Sequence, residues 1–361
     1  MIKTSAPGRI CLFGEHQDYL HLPVITAAIN LRIEIKGKPN GQRHMYINLP
    51  DINSEERFDL PSKQSDVPYV KERDYFRSVF NVVRRHGVRI EQGYDCTVHG
   101  NIPINSGTSS SSALCVAWAR FLTQISSVQK PEFNNPYFIA KLAHLAEVVE
   151  FNEPGGMMDH YASAIGGLMF QEFGDTVNLQ PFALKLGTFV LGDSLQAKDT
   201  KGILARVKYG VLNAIEIIKK EDPQFDLKTI PYEKIVQYQA FLTIDQTEVL
   251  RGAVLNRDLT QEARLLMSKD TLDERQFGKL LNEHQKVLAE LLKISTPKID
   301  RMLHSAMKAG AYGGKINGSG GGGCMFVYAP ENPQAVAKAI ELEGGKTYII
   351  RVGEGVRVEE L

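Results

Sequence analysis

Apolar residues in the first third of the chain recur with the period of a strand, and further along they recur with the period of a helix. Ile2 to Thr4, Arg9 to Phe13 and Ala27 to Gly37 read as strands, and Met45 to Leu49 follows the turn signal Pro39-Asn40-Gly41. A helix is predicted over Tyr69 to His86, with Tyr75, Val79, Val82 and Val83 on one face and Gly87 at its end. Tyr94 to Gly100 returns to strand spacing, with Tyr94, Cys96 and Val98 alternating, and Ala113 to Leu122 returns to helix spacing. A further helix from Pro136 to about Asn152 must stop before Pro154-Gly155-Gly156, where a proline removes a donor and two glycines relax the backbone. Gly166 to Gln171 and Phe189 to Asp193 read as strands.

The second half is more helical. Lys198 to Lys220, Pro231 to Leu242, Asp258 to Ser268, Asp273 to Ile294 and Pro297 to Ala309 alternate with short polar breaks, and Cys324 to Tyr328 and Thr347 to Val352 read as closing strands. Helices packed on one face of an antiparallel sheet are the expected outcome, an α+β layout. A boundary near residue 185 divides the chain into 1–185 and 186–361, and no fixed-period repeat is visible.

Composition narrows the class. The chain has 361 residues, enough for two cores, and 42 Lys+Arg against 42 Asp+Glu leave no net charge. That balance gives no electrostatic case for nucleic acid or an anionic membrane, so a small neutral molecule is the expected partner, with the chain itself a monomer or homodimer. Cys11, Cys96, Cys115 and Cys324 form no C-x-x-C pair and read as reduced structural thiols. There is no long apolar run and no signal-peptide pattern, so a cytoplasmic location is expected.

Candidate chemistry concentrates in loops. Residues 103–113, PINSGTSSSSA, place Asn105, Ser106, Gly107, Thr108, Ser109, Ser110, Ser111 and Ser112 between a strand and a helix. Small residues let backbone N–H groups converge, the following helix adds its positive end, and hydroxyls bind phosphate or magnesium. A serine linker would not be clamped between two apolar elements, and the loop is not of the G-x-x-x-x-G-K-[ST] type. A second loop, Gly318 to Gly323, satisfies G-x-G-x-x-G through Gly318, Gly320 and Gly323, with Gly321 and Gly322 between. It runs into a strand rather than a helix, so it is either a hairpin connection or a place where backbones approach closely. Glu15, His16 and Asp18 beside a glycine turn suit a polyol, with a metal site as the rival reading. Glu147 and Asp159 lie on either side of the Pro154 break and can face one pocket from different elements, although Asp159 alone also suits a helix N-cap. Arg9 is either part of this chemistry or a surface ion pair.

Residues 6–19 (APGRICLFGEHQDY), 93–103 (GYDCTVHGNIP) leading into the serine loop, 155–159 (GGMMD), and 295–300 (STPKID) through 309–324 (AGAYGGKINGSGGGGC) together resemble the GHMP kinase superfamily, most of all its galactokinase branch. The resemblance spans most of the chain. It implies ATP and Mg²⁺, an N-terminal domain like the second domain of ribosomal protein S5 and a ferredoxin-like C-terminal domain. It also implies Asp159 and Arg9 as catalytic residues, Glu15, His16 and Asp18 as sugar ligands, and Glu147 with Ser111 as metal ligands, Ser110 being the one-residue alternative for Ser111.

The chain departs from the galactokinase pattern at Gln17, where threonine is usual, and at Leu20 to Pro23, where Asn-Gly-Gly-Phe is usual. It departs again at Asp193 to Gln196, and at Gly321, which replaces a phenylalanine. The expected activity is ATP-dependent phosphorylation of a monosaccharide, at the anomeric hydroxyl, with the first departures bearing on which sugar. A kinase for an isoprenoid or amino-alcohol substrate fits the Glu15, His16, Asp18 set less well, and a non-catalytic sensor fits poorly with an intact serine loop and Asp159.

Overall fold

A computed structural model describes every residue except 63–64, 105, 175 and 198–199, together with all side chains of those residues but that of residue 200. β1 (Ile2–Phe13) is one strand where the sequence suggests two. It pairs antiparallel with β2 (Val24–Pro39), and register shifts between Pro7 and Arg9 and between Cys11 and Phe13 absorb the Pro-Gly pair. Such bulges bend a strand and re-aim the side chains beside them.

β3 (His44–Leu49), β4 (Ser54–Asp59), β5 (Tyr94–Gly100), β6 (Leu168–Phe173), β7 (Val177–Pro181) and the last strand of the chain, Arg357–Glu360, complete an eight-stranded sheet. Within it β3 and β5 run parallel, whereas the other pairings are antiparallel. The chain therefore ends by crossing back to the first sheet, where Ile2 to Ser5 pair with Arg357 to Glu360. A second sheet is fully antiparallel. It comprises β8 (Phe189–Asp193), β9 (Gly313–Ile316), β10 (Cys324–Tyr328) and β11 (Lys346–Ile350), in the order β11-β8-β10-β9, and Arg357–Glu360 is then β12.

Against the first sheet pack α1 (Tyr75–Arg85), α2 (Ser110–Gln124), α3 (Pro136–His144) and α4 (Met158–Ile165), with Trp118 stacked on Phe121 at 5.3 Å and its indole N–H donated to the Phe76 carbonyl. α1 starts later than expected because Arg73 is left-handed and Asp74, at φ −74° and ψ 70°, is not yet helical. α5 (Thr200–Glu221) and α6 (Ile244–Met267) enclose a separate core with the 3₁₀ segment Tyr232–Phe241. The sequence reading placed a regular helix over that segment, and it caught only the second half of α6, whose true start is the capping box of Thr243 and Gln246. Residues 198–199, at the expected start of α5, lie outside the described residues. α7 (Glu274–Glu290), α8 (Pro297–Lys308) and α9 (Pro333–Leu342) serve the second sheet. All four cysteines are free and buried, and no described helix is long and apolar enough to cross a membrane.

The two sheets contribute to one apolar core, and polar groups of the segment 315–324 also cross between them. Cys11 N–H donates to Asn317 Oδ1 at 2.9 Å, and Lys315 Nζ, wholly buried, donates to the Cys11 carbonyl, the Ile316 carbonyl and Glu15 Oε2 at 2.8, 2.8 and 2.7 Å. With its three donors each matched, this ammonium is satisfied; removing it would leave Glu15 as an unpaired buried charge. Lys315→Ala is expected to cost about 3–5 kcal/mol in urea denaturation. The double variant Lys315→Met/Glu15→Gln should recover most of that loss. If Lys315→Ala unfolds with the same midpoint as the parent, this pair does not hold the sheets together.

Candidate active site

The serine loop turns into α2 through Ser109, which sits in the left-handed region at φ 60° and makes no side-chain capping bond, so the serine at the cap acts by backbone shape. Helix geometry leaves the amides of Ser110, Ser111 and Ser112 without intrahelical carbonyls, and these three residues line a cavity together with Ser106, Gly107 and Ser109. Two of the expected phosphate ligands are otherwise engaged. Ser106 Oγ donates to the Pro103 carbonyl at 2.8 Å and lies 3.0 Å from Thr108 Oγ1, and Thr108 is fully buried behind the loop. Their hydroxyls shape the turn instead of facing the cavity. Asn105 lies outside the described residues.

The glycine loop is both things the sequence allowed: it joins β9 to β10, and its backbone presses on the serine loop. A Cβ on Gly318 would sit 2.8 Å from Gly107, and one on Gly323 would sit 2.5 Å from the Ser106 carbonyl. Cys324 N–H donates to that carbonyl at 2.6 Å, and Asn317 Nδ2 donates to the Gly107 carbonyl at 2.8 Å. Only Gly318 and Ser319 of this loop line the cavity; Gly320, Gly321 and Gly322 pack instead on Ile294, Ile203 and Gln196.

Arg9 and Asp159 face the same cavity. Arg9 Nε donates to Asp159 Oδ1 at 2.7 Å and Nη1 donates to the Gly107 carbonyl at 2.6 Å, with the arginine side chain only 4% exposed. This is no surface ion pair. Asp159 lies within the first turn of α4, whose cap position belongs to Met157, so the N-cap reading is set aside. Burial works against its ionisation, but the Arg9 charge, followed by the nearby Ser109 hydroxyl, His160 and the Arg9 hydrogen bond, outweighs it and holds the carboxyl below the usual range. Asp18, buried next to it, accepts from Met158 N–H at 3.1 Å and fills the space a Cβ on Gly156 would occupy. Burial, and then the charge of Asp159, push Asp18 up to about 6.

His16 is left-handed at φ 65°. Its Nε2 lies 3.1 Å from the Ser319 carbonyl, which only accepts, so Nε2 carries the proton and Nδ1 accepts from Tyr19 Oη at 2.7 Å. Burial lowers its pKa to about 4, which keeps the ring neutral. With Glu15 bound to Lys315 and both His16 nitrogens engaged, these residues do not form the rival metal site. Gln17 is absent from the cavity lining: its amide donates to the Ala253 carbonyl on α6 and accepts from Thr260. Leu20 and Leu22 join the α5–α6 core, and Ser194 and Gln196 bond the backbone of Gly323. Gln17 and Leu20 are thus packing residues, whereas His21, Leu22 and Pro23 line a second cavity together with Glu172, Arg257 and Asp258.

Across the cavity, Glu147 sits in a π-helical turn, Leu145–Val149, closed by Glu150 N–H to the Leu145 carbonyl. This turn, and not a regular continuation of α3, delivers the carboxylate to the cavity that Ser111 also lines. A carboxylate and a hydroxyl suit magnesium, which takes few protein oxygens and completes its shell with phosphate and water. No group of three His, Cys, Asp or Glu side chains able to hold an ion occurs among the described residues. Sequence reasoning missed Lys315, Asn317, Tyr19, His160 and the Arg73–Glu153 pair at the rim, bidentate at 2.9 and 2.7 Å. A lysine and an asparagine directly ahead of a glycine loop were the available signal for the first two.

Comparison with known proteins gives a concordant picture. Residues 74–167 match the profile of the GHMP kinases N terminal domain, residues 267–346 that of the GHMP kinases C terminal domain, and residues 2–39 the galactokinase galactose-binding signature. A mevalonate kinase of Thermococcus onnurineus is 29% identical over 100% of this chain and 99% of its own length. A galactokinase of Thermococcus kodakarensis is 26% identical over 89% and 87%. The crystal structure of Lactococcus lactis galactokinase complexed with galactose superposes with a TM-score of 0.84 at 21% identity, covering 99% of this chain and 95% of that one. The chain belongs to the GHMP kinase family and has its two-domain α+β fold.

The raised pKa of Asp18 carries a stability consequence. A carboxyl whose folded value, about 6, exceeds its ordinary 3.8 destabilises the fold once ionised, and the loss develops as pH rises from about 4 to 6. Asp18→Asn is expected to be more stable than the parent at pH 7 by up to about 3 kcal/mol, with the difference vanishing near pH 3.5. Thermal melts across that range check it; an equal or lower melting temperature at pH 7 would show that Asp18 is not held against its ionisation.

Proposed function

We propose that this GHMP kinase transfers the γ-phosphate of ATP to a hydroxyl of a neutral monosaccharide, at the anomeric position, with galactose the first candidate. The observation that carries this reading is the charge at the acceptor end of the cavity. Arg9 is compensated by Asp159, Glu15 by Lys315 and Arg73 by Glu153, and His16 is neutral, which leaves Asp18 and Glu147 as the carboxylates without an arginine or lysine partner among the lining groups. A carboxylate acceptor would meet repulsion there, whereas a polyol offers hydroxyl donors to Asp18 and Asp159. The galactose-binding signature over residues 2–39, which contain Glu15, His16 and Asp18, supports the same class. The identity to mevalonate kinases keeps a mevalonate-type acceptor as the second reading.

In the reaction the amides at the start of α2 hold phosphate oxygens, and positioning supplies most of the rate. Ser111 and Glu147 would hold a magnesium ion, which would offset charge on the phosphates. The acceptor oxygen forms a bond to the γ-phosphorus as the bond to the bridging β–γ oxygen breaks and ADP departs. Asp159, held ionised by Arg9, takes the hydroxyl proton. A carboxylate kept below its usual pKa is too weak a base to ionise an alcohol beforehand, so the proton moves as the new P–O bond forms. On this reading residues 1–185 carry the phosphate loop and acceptor site, and 186–361 carry the glycine loop that backs them.

ADP release measured over a panel of neutral hexoses, pentoses, mevalonate and homoserine tests the assignment, with ³¹P NMR locating the phosphate on the product. Stimulation by mevalonate or homoserine and by no sugar would make the reading wrong. Asp159→Ala is expected to lower kcat by about 10²–10⁴-fold while leaving ATP affinity nearly unchanged. A variant with near-parental kcat would remove Asp159 as the base.

A further inference from the structure

His160 plays no part in the chemistry described so far, yet it is 1% exposed and its Nε2 lies 2.7 Å from Glu147 Oε2 across the gap between the π-helical turn and α4. A carboxylate oxygen accepts, so Nε2 carries the ring proton. Nδ1 is buried with no hydrogen-bond partner, which favours the same tautomer, because a bare lone pair there avoids stranding a second N–H. The ring is held edge-on by His144, with centroids 5.3 Å apart and planes at 80°. A glutamate on an irregular turn has two flexible bonds to its carboxylate, and His160 clamps one of its oxygens.

We propose that His160 is the positioning residue of the metal site: its Nε2–H occupies Glu147 Oε2 and so presents Oε1 to the cation on the nucleotide. The inference rests on the assignment of Glu147 to the metal under the proposed function. The geometry adds a structural link, because His160 directly follows Asp159 in the first turn of α4. One short helix thereby sets both the base and, through Glu147, the cation, which fixes the distance between the two ends of the transferring group. A donor that orients a ligating carboxylate is worth about 10–100-fold in metal affinity in comparable sites.

The test is Mn²⁺ affinity read by EPR titration of the intact protein with a non-hydrolysable ATP analogue. His160→Ala is expected to weaken Mn²⁺ binding by about 10–100-fold. The acceptor KM should stay unchanged, and the lost kcat should return at high Mg²⁺. His160→Gln, which keeps an N–H donor, should bind Mn²⁺ close to the parent; a purely space-filling role predicts no such rescue and no Mg²⁺ dependence. Glu147→Gln serves as the control. If Glu147→Gln loses Mn²⁺ and His160→Ala does not, the role of His160 falls and that of Glu147 stands. If neither variant loses Mn²⁺, Glu147 is not a ligand and both roles fall, with the acceptor reading untouched.

Discussion

One carbonyl oxygen, that of Gly107, accepts from Arg9 Nη1 and from Asn317 Nδ2, and three parts of the site take their positions from it. Arg9 reaches from there to Asp159, which sets this carboxylate against the serine loop. Asn317 reaches back to the Cys11 amide, which sets the glycine loop of the second sheet against the strand that carries Arg9. The constraint is steric as well as polar. Side chains at residues 318 and 323 would collide with the backbone of residues 106–107, so the two loops can share this contact only as glycines. A carbonyl with two charge-assisted or amide donors is firmly held, and a site needing near-ångström placement of phosphate, cation and hydroxyl benefits from that rigidity.

The second theme is compensation of buried charge. Arg9 with Asp159, and Lys315 with Glu15, enter the interior as matched pairs, with Arg9 Nη1 on one further carbonyl and Lys315 on two. Asp18 is the exception, a buried carboxylate next to another one, and its raised pKa records the cost. Folds commonly carry such locally unfavourable groups where they bind or react. His16 shows the opposite arrangement, a ring kept neutral so that it spans Tyr19 and Ser319 without adding charge.

Irregular backbone recurs wherever a side chain must be aimed. The bulge in β1 precedes Arg9, the left-handed His16 follows Glu15, Ser109 turns the serine loop into α2, and a π-helical turn delivers Glu147. Away from these points the side chains mostly pack, on regular elements and on the irregular 3₁₀ segment Tyr232–Phe241 alike. Gln17, Leu20 and Leu22, which differ from the pattern of galactokinases, belong to that second group and join the segment after Glu15 to α6 and its core. None of the three lines the cavity of Arg9 and Asp159.

The sequence by itself determined the α+β class, most strands and helices, and the segments that meet at the site. Strand alternation, helical spacing and short glycine and serine motifs are local properties, and local chemistry dictates them. β4, β7 and β12 escaped because they are polar edge strands with little alternation to read, β9 because two of its four residues are glycines, and the first half of α6 because its boundary is a cap and not a change of period; α9 was also missed. Tertiary structure alone decided which groups face the cavity. Ser106 and Thr108 carry the same kind of hydroxyl as Ser111, yet they turn inward. Lys315 finds Glu15 across 300 residues of sequence, and His160 finds Glu147 from the next element along the chain. Such pairings depend on desolvation and on hydrogen bonds between separate elements, and a linear pattern does not encode which buried donor will meet which acceptor.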